Sequence, residues 1–397
     1  MNTARRLALL LLLFCLRPAP AAAQVTVSGE ATATLGARDE SAFFNYTDYE
    51  HNALRMFRVS LSGMWRPVSR LAFVTELRSE DVQRVIPYAL YVRVRPWAGR
   101  AFDIQAGRIP PVFGAFGRRS YGASENPLIG YPLAYQYLTS LRPNAVPASA
   151  DDLLDMRARG WQASYPIGAK DEAPGVPLVT AYRWDTGVQA HAVAGRFALS
   201  GAVTIGTLSN PRVDDDNRGR QLSGRVGWTP LPGLAVGASA ARGEFLTRGI
   251  GDASEAIFGH RSSGQQALGV DAEYSRDHWI VRGELIHNRW QLPVFGQPVI
   301  ETPITATAAF VETRYRFTPR YFAAARADRL TFSRIRGEAN FDGQPTPWDA
   351  PVTRIELGGG LQILRNLSAR AVVQHNWRDA GRVRTRTFLS GQVAVWF

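Results

Sequence analysis

From Val383 to Phe397 the chain alternates in twos. Val383, Thr385, Thr387, Leu389, Gly391, Val393, Val395 and Phe397 fall on one face, and Arg384, Arg386, Phe388, Ser390, Gln392, Ala394 and Trp396 on the other. Only an extended strand puts successive side chains on opposite faces. The same period recurs along the chain. Val25, Val27, Gly29, Ala31, Ala33 and Leu35 alternate with Thr and Ser; Ala309, Val311, Thr313, Tyr315 and Phe317 alternate with Phe310, Glu312, Arg314 and Arg316. Further runs start near Phe57, Leu90, Leu222, Leu268, Trp279, Arg354 and Leu367.

The second face carries arginines and carboxylates, which cannot fill a dry core. A soluble β-sandwich or β-solenoid would need shorter strands and a bulky, packed inner face. Segments of about 9–12 residues, apolar on one side and polar on the other, match strands crossing a bilayer at a tilt. Such a sheet must close, because hydrocarbon satisfies no open backbone edge. The expected fold is all-β: an antiparallel transmembrane β-barrel. A mean hydropathy of −0.16 agrees, since half of each strand faces water.

The separators alternate between short turns (66–69, 276–278, 318–320, 365–366) and long stretches (37–53, 244–264, 290–303, 334–350), the asymmetry of outer-membrane barrels. Trp65, Trp97, Trp228, Trp279, Phe317, Tyr321, Trp377 and Phe397 stand near strand ends, as interfacial girdles require. The count is 18 strands, with 16 as the second reading. The difference rests on Gly160–Tyr165, Leu178–Trp184 and Gly187–Ala194, where the alternation is weak. Either even number puts both termini on one side.

Arg5 and Arg6, the apolar run Leu7–Leu16 and the small residues Ala21–Ala23 form a secretory signal, with cleavage expected before Gln24. Residues 24–397 are then the barrel. Phe14 argues against a lipoprotein signal at Cys15. Loss of the leader removes the only cysteine, and the loss of Arg5, Arg6 and Arg17 takes the formal charge from +12 to +9. The basic charge is spread with period two and forms no patch for nucleic acid. The six histidines have no metal-ligand spacing, and no nucleophile-elbow, Walker or dinucleotide motif occurs. Asp214–Gly219 resembles a calcium loop only faintly, because Arg218 and Arg225 occupy ligand positions. No cofactor, metal or catalytic residue is expected, and the chain does not read as an enzyme.

The ending Val393-x-Val395-x-Phe397 resembles the C-terminal signal of bacterial outer-membrane proteins, which implies insertion by the barrel-assembly machinery. Phe102–Gly114 (FDIQAGRIPPVFG) resembles a strand-and-loop entry of porins of the phosphate-selective O/P type. It departs in a second proline and in Val112, and the family's lysine ladder has no counterpart, since Lys170 is the only lysine.

With the polar face inward, Arg58, Arg93, Arg95, Arg225, Arg282, Arg314, Arg316, Arg326, Arg354, Arg370, Arg384 and Arg386 line the lumen. Glu30, Glu76, Asp103, Asp271, Glu273, Glu284, Glu312, Asp328 and Glu356 face them. An arginine excess in a narrow channel concentrates anions; the competing reading is that these groups pair and brace the wall. After the fifth strand, 109–159 loses the alternation and is rich in Gly, Pro, Tyr and Leu, too apolar for an exposed loop. It is expected to fold inward and constrict the lumen, with Arg118, Arg119 and Arg142 near Asp151, Asp152 and Asp155, opposite the arginine wall. Packing on the outer rim, or a subunit contact, is the alternative.

The porin resemblance implies an outer-membrane location and passive diffusion of small polar solutes, here with anion preference. A substrate-specific channel for a larger organic or sugar ligand, or a plugged structural or adhesive barrel, is the second reading; a barrel hydrolase is the least favoured. Expected partners are outer-membrane lipid and lipopolysaccharide, the assembly machinery and small anionic solutes. Porins of this size often form homotrimers, although no feature here requires one.

Overall fold

The computed structural model describes residues 23–36, 54–80, 85–118, 125–181, 184–216, 219–258, 264–293, 295–301, 303–378, 380 and 384–397. The leader through Ala22, Arg119, His51 and His260 lie outside them.

Sixteen antiparallel strands close into one barrel. In chain order they are β1 (Gln24–Gly36), β2 (Leu54–Val68), β3 (Leu71–Glu80), β4 (Ile86–Val94), β5 (Phe102–Ile109), β6 (Asp185–Ala194), β7 (Phe197–Thr204) and β8 (Gln221–Leu231). Then come β9 (Leu234–Glu244), β10 (Gly264–Arg276), β11 (Trp279–Trp290), β12 (Ile304–Arg316), β13 (Tyr321–Phe332), β14 (Val352–Leu364), β15 (Leu367–Trp377) and β16 (Arg386–Trp396). Each pairs with its sequence neighbours, and β1 pairs with β16. Phe397 continues this seam by exchanging backbone hydrogen bonds with Gly29, at 3.0 and 3.2 Å. Its ring covers Gly29 so closely that a Cβ there would stand 2.5 Å from the ring carbon Cε1.

The sequence count of 18 falls to 16 for a physical reason. Gly187–Ala194 lies in β6, but Gly160–Tyr165 and Leu178–Trp184 are not barrel strands. Ala163, Tyr165, Leu178, Val179 and Ala181 are buried in a cluster formed by the loop's own side chains and the inner wall, so their apolar pattern records packing inside the barrel rather than contact with lipid. The connection from β5 to β6 therefore runs over residues 110–184, beyond the 109–159 read from the sequence. Within it are α1 (Leu133–Gln136) and α2 (Ala150–Asp155). Ser149 and Asp152 close a reciprocal capping box on α2.

Turns of two to seven residues join β2–β3, β4–β5, β6–β7, β8–β9, β10–β11, β12–β13 and β14–β15. Both barrel termini lie at this end, which is the periplasmic one in outer-membrane barrels. The opposite end carries the longer connections and a third helix, α3 (Arg248–Phe258), between β9 and β10.

Outward positions are apolar: Val226, Val270, Leu285, Val311, Leu357, Val373 and Leu389 are all exposed. Aromatic residues ring the turn end, where Trp65 stacks on Phe73 at 5.1 Å and Trp279 meets Tyr315 at 4.6 Å. A charge at the midplane of this belt should be costly. Val311→Arg is expected to lower unfolding free energy in lipid vesicles by about 2–4 kcal/mol, whereas the same change at turn-end Tyr321 should cost far less. Denaturant titration by tryptophan fluorescence measures both.

Candidate functional site: the insert inside the lumen

The dry core lies between the inner wall and the long insert. Inward positions of β9–β13 are small: Ala241, Ala267, Gly269, Ala306, Ala308 and Ala324. They receive the bulk of the insert. A Cβ at Gly269 would stand 2.9 Å from the Phe113 ring, so only glycine admits that ring here. Phe116 packs on Tyr135 at 4.8 Å and meets wall residue Phe310 edge-on at 6.0 Å. Tyr137 packs on wall residue Phe332 at 5.8 Å.

Polar anchors fix the register of this packing. Glu284 accepts from the Tyr135 hydroxyl (2.8 Å) and from Ala115 N (3.1 Å), and Ser239 Oγ accepts from Gly114 N (3.0 Å). On β12–β14 a buried cluster does the same. The Arg326 guanidinium pairs with Glu356 (2.6 Å), Asp328 (3.1 Å) and Glu312 (3.2 Å), and donates to Gly130 O at 2.7 Å. Glu356 accepts from Gly130 N (2.9 Å) and Asp328 from Leu133 N (3.2 Å). Arg354 pairs with Asp328 at 3.0 Å and donates to Tyr131 O and to Gln136 Oε1. Backbone groups of a lumenal loop would otherwise lack partners; here the wall's charges supply them.

A third anchor comes from the β13–β14 connection. Asp349 is fully buried and accepts from the Tyr137 hydroxyl (2.9 Å), Ser140 N (2.8 Å) and Ala158 N (2.9 Å). Burial pushes its carboxyl above the usual range despite these donors. Burial, and then the neighbouring Asp349, push the Tyr137 hydroxyl up as well.

The expected lumenal arginines separate by where they stand along the wall. Arg326, Arg354 and Arg370 are buried beneath the insert, where Arg370 donates to Asn126 O. Arg58 reaches the insert from the opposite wall, donating to the Tyr131 hydroxyl at 2.8 Å. Toward the turn end are Arg93 beside Met64, Arg225 paired with Asp271 (2.5 Å), Arg282 paired with Glu273 (2.8 Å), Arg314 and exposed Arg316. Arg95 is exposed in the β4–β5 turn, and Arg384 and Arg386 are exposed at the loop end of β16.

The charges expected to face that wall from the insert have local partners. Arg142 donates to Ala163 O and Asp171 O. Asp152 caps α2, and Asp155 is exposed at its end. Asp151 accepts from the backbone N–H groups of Glu338, Ala339 and Asn340. Burial opposes its charge, yet these donors hold its carboxyl below the usual range. Arg118 starts the gap at 119–124, and only its backbone is described. Of the assembly-signal residues, Val393 and Val395 face outward and Phe397 closes the seam.

Sequence reasoning missed Asp349, Tyr131, Tyr135 and Tyr137. The tyrosines stood in the apolar loop composition without assigned partners, and Asp349 sat in a stretch read only as a long connection. Among the described residues no group of His, Cys, Asp or Glu could hold a metal ion. Asp215 pairs with Arg220 and Asp216 with Arg212, so cations of the protein itself neutralise this faint calcium-loop motif.

No protein-family model and no curated protein matches the chain. Solved structures do match in fold. The trimer form of OmpT, an outer-membrane protein of Vibrio cholerae, is 11% identical, with a TM-score of 0.56 over 95% of this chain and 100% of that one. The outer-membrane channel DcaP of Acinetobacter baumannii gives 10% identity and a TM-score of 0.55, covering 96% and 99%. An anion-selective porin from Comamonas acidovorans gives 11% and 0.51, covering 94% and 99%. The chain has the sixteen-stranded barrel fold of outer-membrane porins. The resemblance of Phe102–Gly114 to the O/P type maps to β5 and the start of the insert, and no family model supports that finer assignment.

Arg326→Ala would leave three buried carboxylates without their shared cation. The loss should be about 3–5 kcal/mol, concentrated in the insert. Hydrogen exchange should show lost protection at Gly130 and Leu133 with the β6–β8 amides unchanged.

Proposed function

We propose that this protein is an outer-membrane channel through which small polar solutes diffuse passively, with the insert setting the width of the path. The observation that carries this reading is the anchored insert. Its backbone is held at mid-wall by buried charges on β11–β14, in a closed barrel otherwise lined by polar side chains. A segment folded only to cover a barrel mouth would not need ion pairs so deep in the lumen.

Anion preference is the finer part of the proposal. At the edge of the insert, Arg282 on β11 donates to Glu125 O at 3.2 Å, and Arg314 and Arg316 share the inward face of the neighbouring strand β12. Glu273 and Glu312 offset them only in part. A positive surface in a confined, low-dielectric lumen raises the local anion concentration. The anion selectivity in the name of the Comamonas acidovorans porin agrees with this reading. The trimer form of the Vibrio cholerae protein likewise supports assembly as a homotrimer.

A gated or ligand-specific channel is the second reading. It is favoured by burial of inward residues well away from the main anchors: Thr34 on β1, Arg78 on β3, Tyr88 on β4, Gln189 on β6 and Gln392 on β16.

The reversal potential of single channels in a planar bilayer, under a potassium chloride gradient, separates these readings. Chloride should permeate more readily than potassium. The triple change Arg282→Ala, Arg314→Ala and Arg316→Ala should move the potential toward zero or beyond. Potassium preference in the unchanged protein would overturn anion selectivity; absence of conductance from folded barrels would overturn passive diffusion and leave the gated reading.

A further inference from the structure

The outer wall holds a feature that solute passage does not use. On neighbouring strands β6–β9, the outward positions Ala190, Gly201, Gly224 and Ala240 pair in sequence around the barrel. With no side chain larger than methyl, they form the floor of a groove of about 640 Å³ with Leu199, Val226 and Leu268 as its sides. A second hollow of about 450 Å³ shares Gly224, Ala240 and Leu268 and continues toward the loop end. Its upper rim is Arg242, Gln266 and Arg289, one per strand on β9, β10 and β11.

Arg242 and Arg289 point outward, are exposed, and make no hydrogen bond or ion pair with any described residue, whereas buried lumenal arginines such as Arg326 and Arg354 are paired. Glu244, the nearest acid along β9, has its own interaction elsewhere. Arg242 and Arg289 are two strand spacings apart, about 10 Å. Their long side chains can converge from that distance on one anion, or straddle two. They stand about 7 Å, two residues, above the row that contains Ala240. The loop end of such a barrel is where outer-leaflet headgroups begin.

We infer that the groove under Arg242 and Arg289 is a binding site for a phosphate-bearing lipid, with an acyl chain along Ala190–Ala240 and its phosphate on the two guanidiniums. Apolar walls suit the chain, and the unpaired planar cations suit phosphate oxygens in bidentate contact. Charge complementarity distinguishes this occupant from a second copy of the chain, which would present apolar side chains to the groove and leave both arginines unanswered.

The test is native mass spectrometry of the detergent-purified barrel titrated with diphosphorylated lipid A. Arg242→Ala with Arg289→Ala should weaken lipid binding about tenfold or more, and Gly224→Leu should fill the groove and do the same. Arg276→Ala, an exposed change at the turn end of β10, should have no effect. Heat-modifiable gel migration verifies that each variant is folded. Equal lipid binding by all folded variants would overturn the site. So would loss of oligomer mass in Gly224→Leu with lipid binding unchanged, which would make the groove a subunit contact. Competition by inorganic phosphate alone at matched concentration would also overturn it, reducing the site to an anion site that does not read the acyl chain.

Discussion

Hydrocarbon leaves no backbone donor or acceptor without a partner, and the rest of this structure follows from that constraint. It forces the sheet to close, so β1 must meet β16 and Phe397 must complete the seam with Gly29. Closure fixes two faces per strand. The outer face is left apolar with an aromatic ring at the turn end, and the inner face is released to carry charge.

Those inward charges have a task that a simple water-filled lumen would not give them. An insert of 75 residues, 110–184, needs partners for its own backbone once it leaves the aqueous loop region. Arg326, Arg354, Asp328, Glu356, Glu284 and Asp349 supply them. The desolvation of so many charges is offset only when every one is paired, which is why the cluster is dense and reciprocal. The small inward residues of β9–β13 are the complement: the wall is thin where the insert is thick. The insert is thereby fastened mainly to one side of the barrel, while Arg58 to Tyr131 and the Tyr88 hydroxyl to Ala181 O bridge to the other.

The barrel was legible in the sequence because period two is a direct image of a wall between lipid and water. Arg386–Trp396 and Ala309–Arg316 fall on the faces that the alternation assigns them. The two surplus strands came from Gly160–Tyr165 and Leu178–Trp184, where burial inside the insert copies the apolar signature of a lipid-facing strand. The inward arginines were legible as a face but not as roles. Alternation cannot say that Arg326 meets Gly130 while Arg316 meets solvent, since that depends on how far up the wall the insert reaches. Asp349 was invisible for a related reason: a lone acid in a long connection gains meaning only from the Tyr137 and Ser140 groups that fold against it from residues two hundred positions away.

The central claim is that the insert occupies and narrows the lumen. Its most direct test is the single-channel conductance of a barrel in which Asn126–Gly175 is replaced by a short Gly-Ser linker. If the insert sets the path, conductance should rise several-fold over the unchanged protein, and the folded barrel should still insert into bilayers. Unchanged conductance from a correctly folded deletion would contradict the account, because the insert would then lie outside the route that ions take.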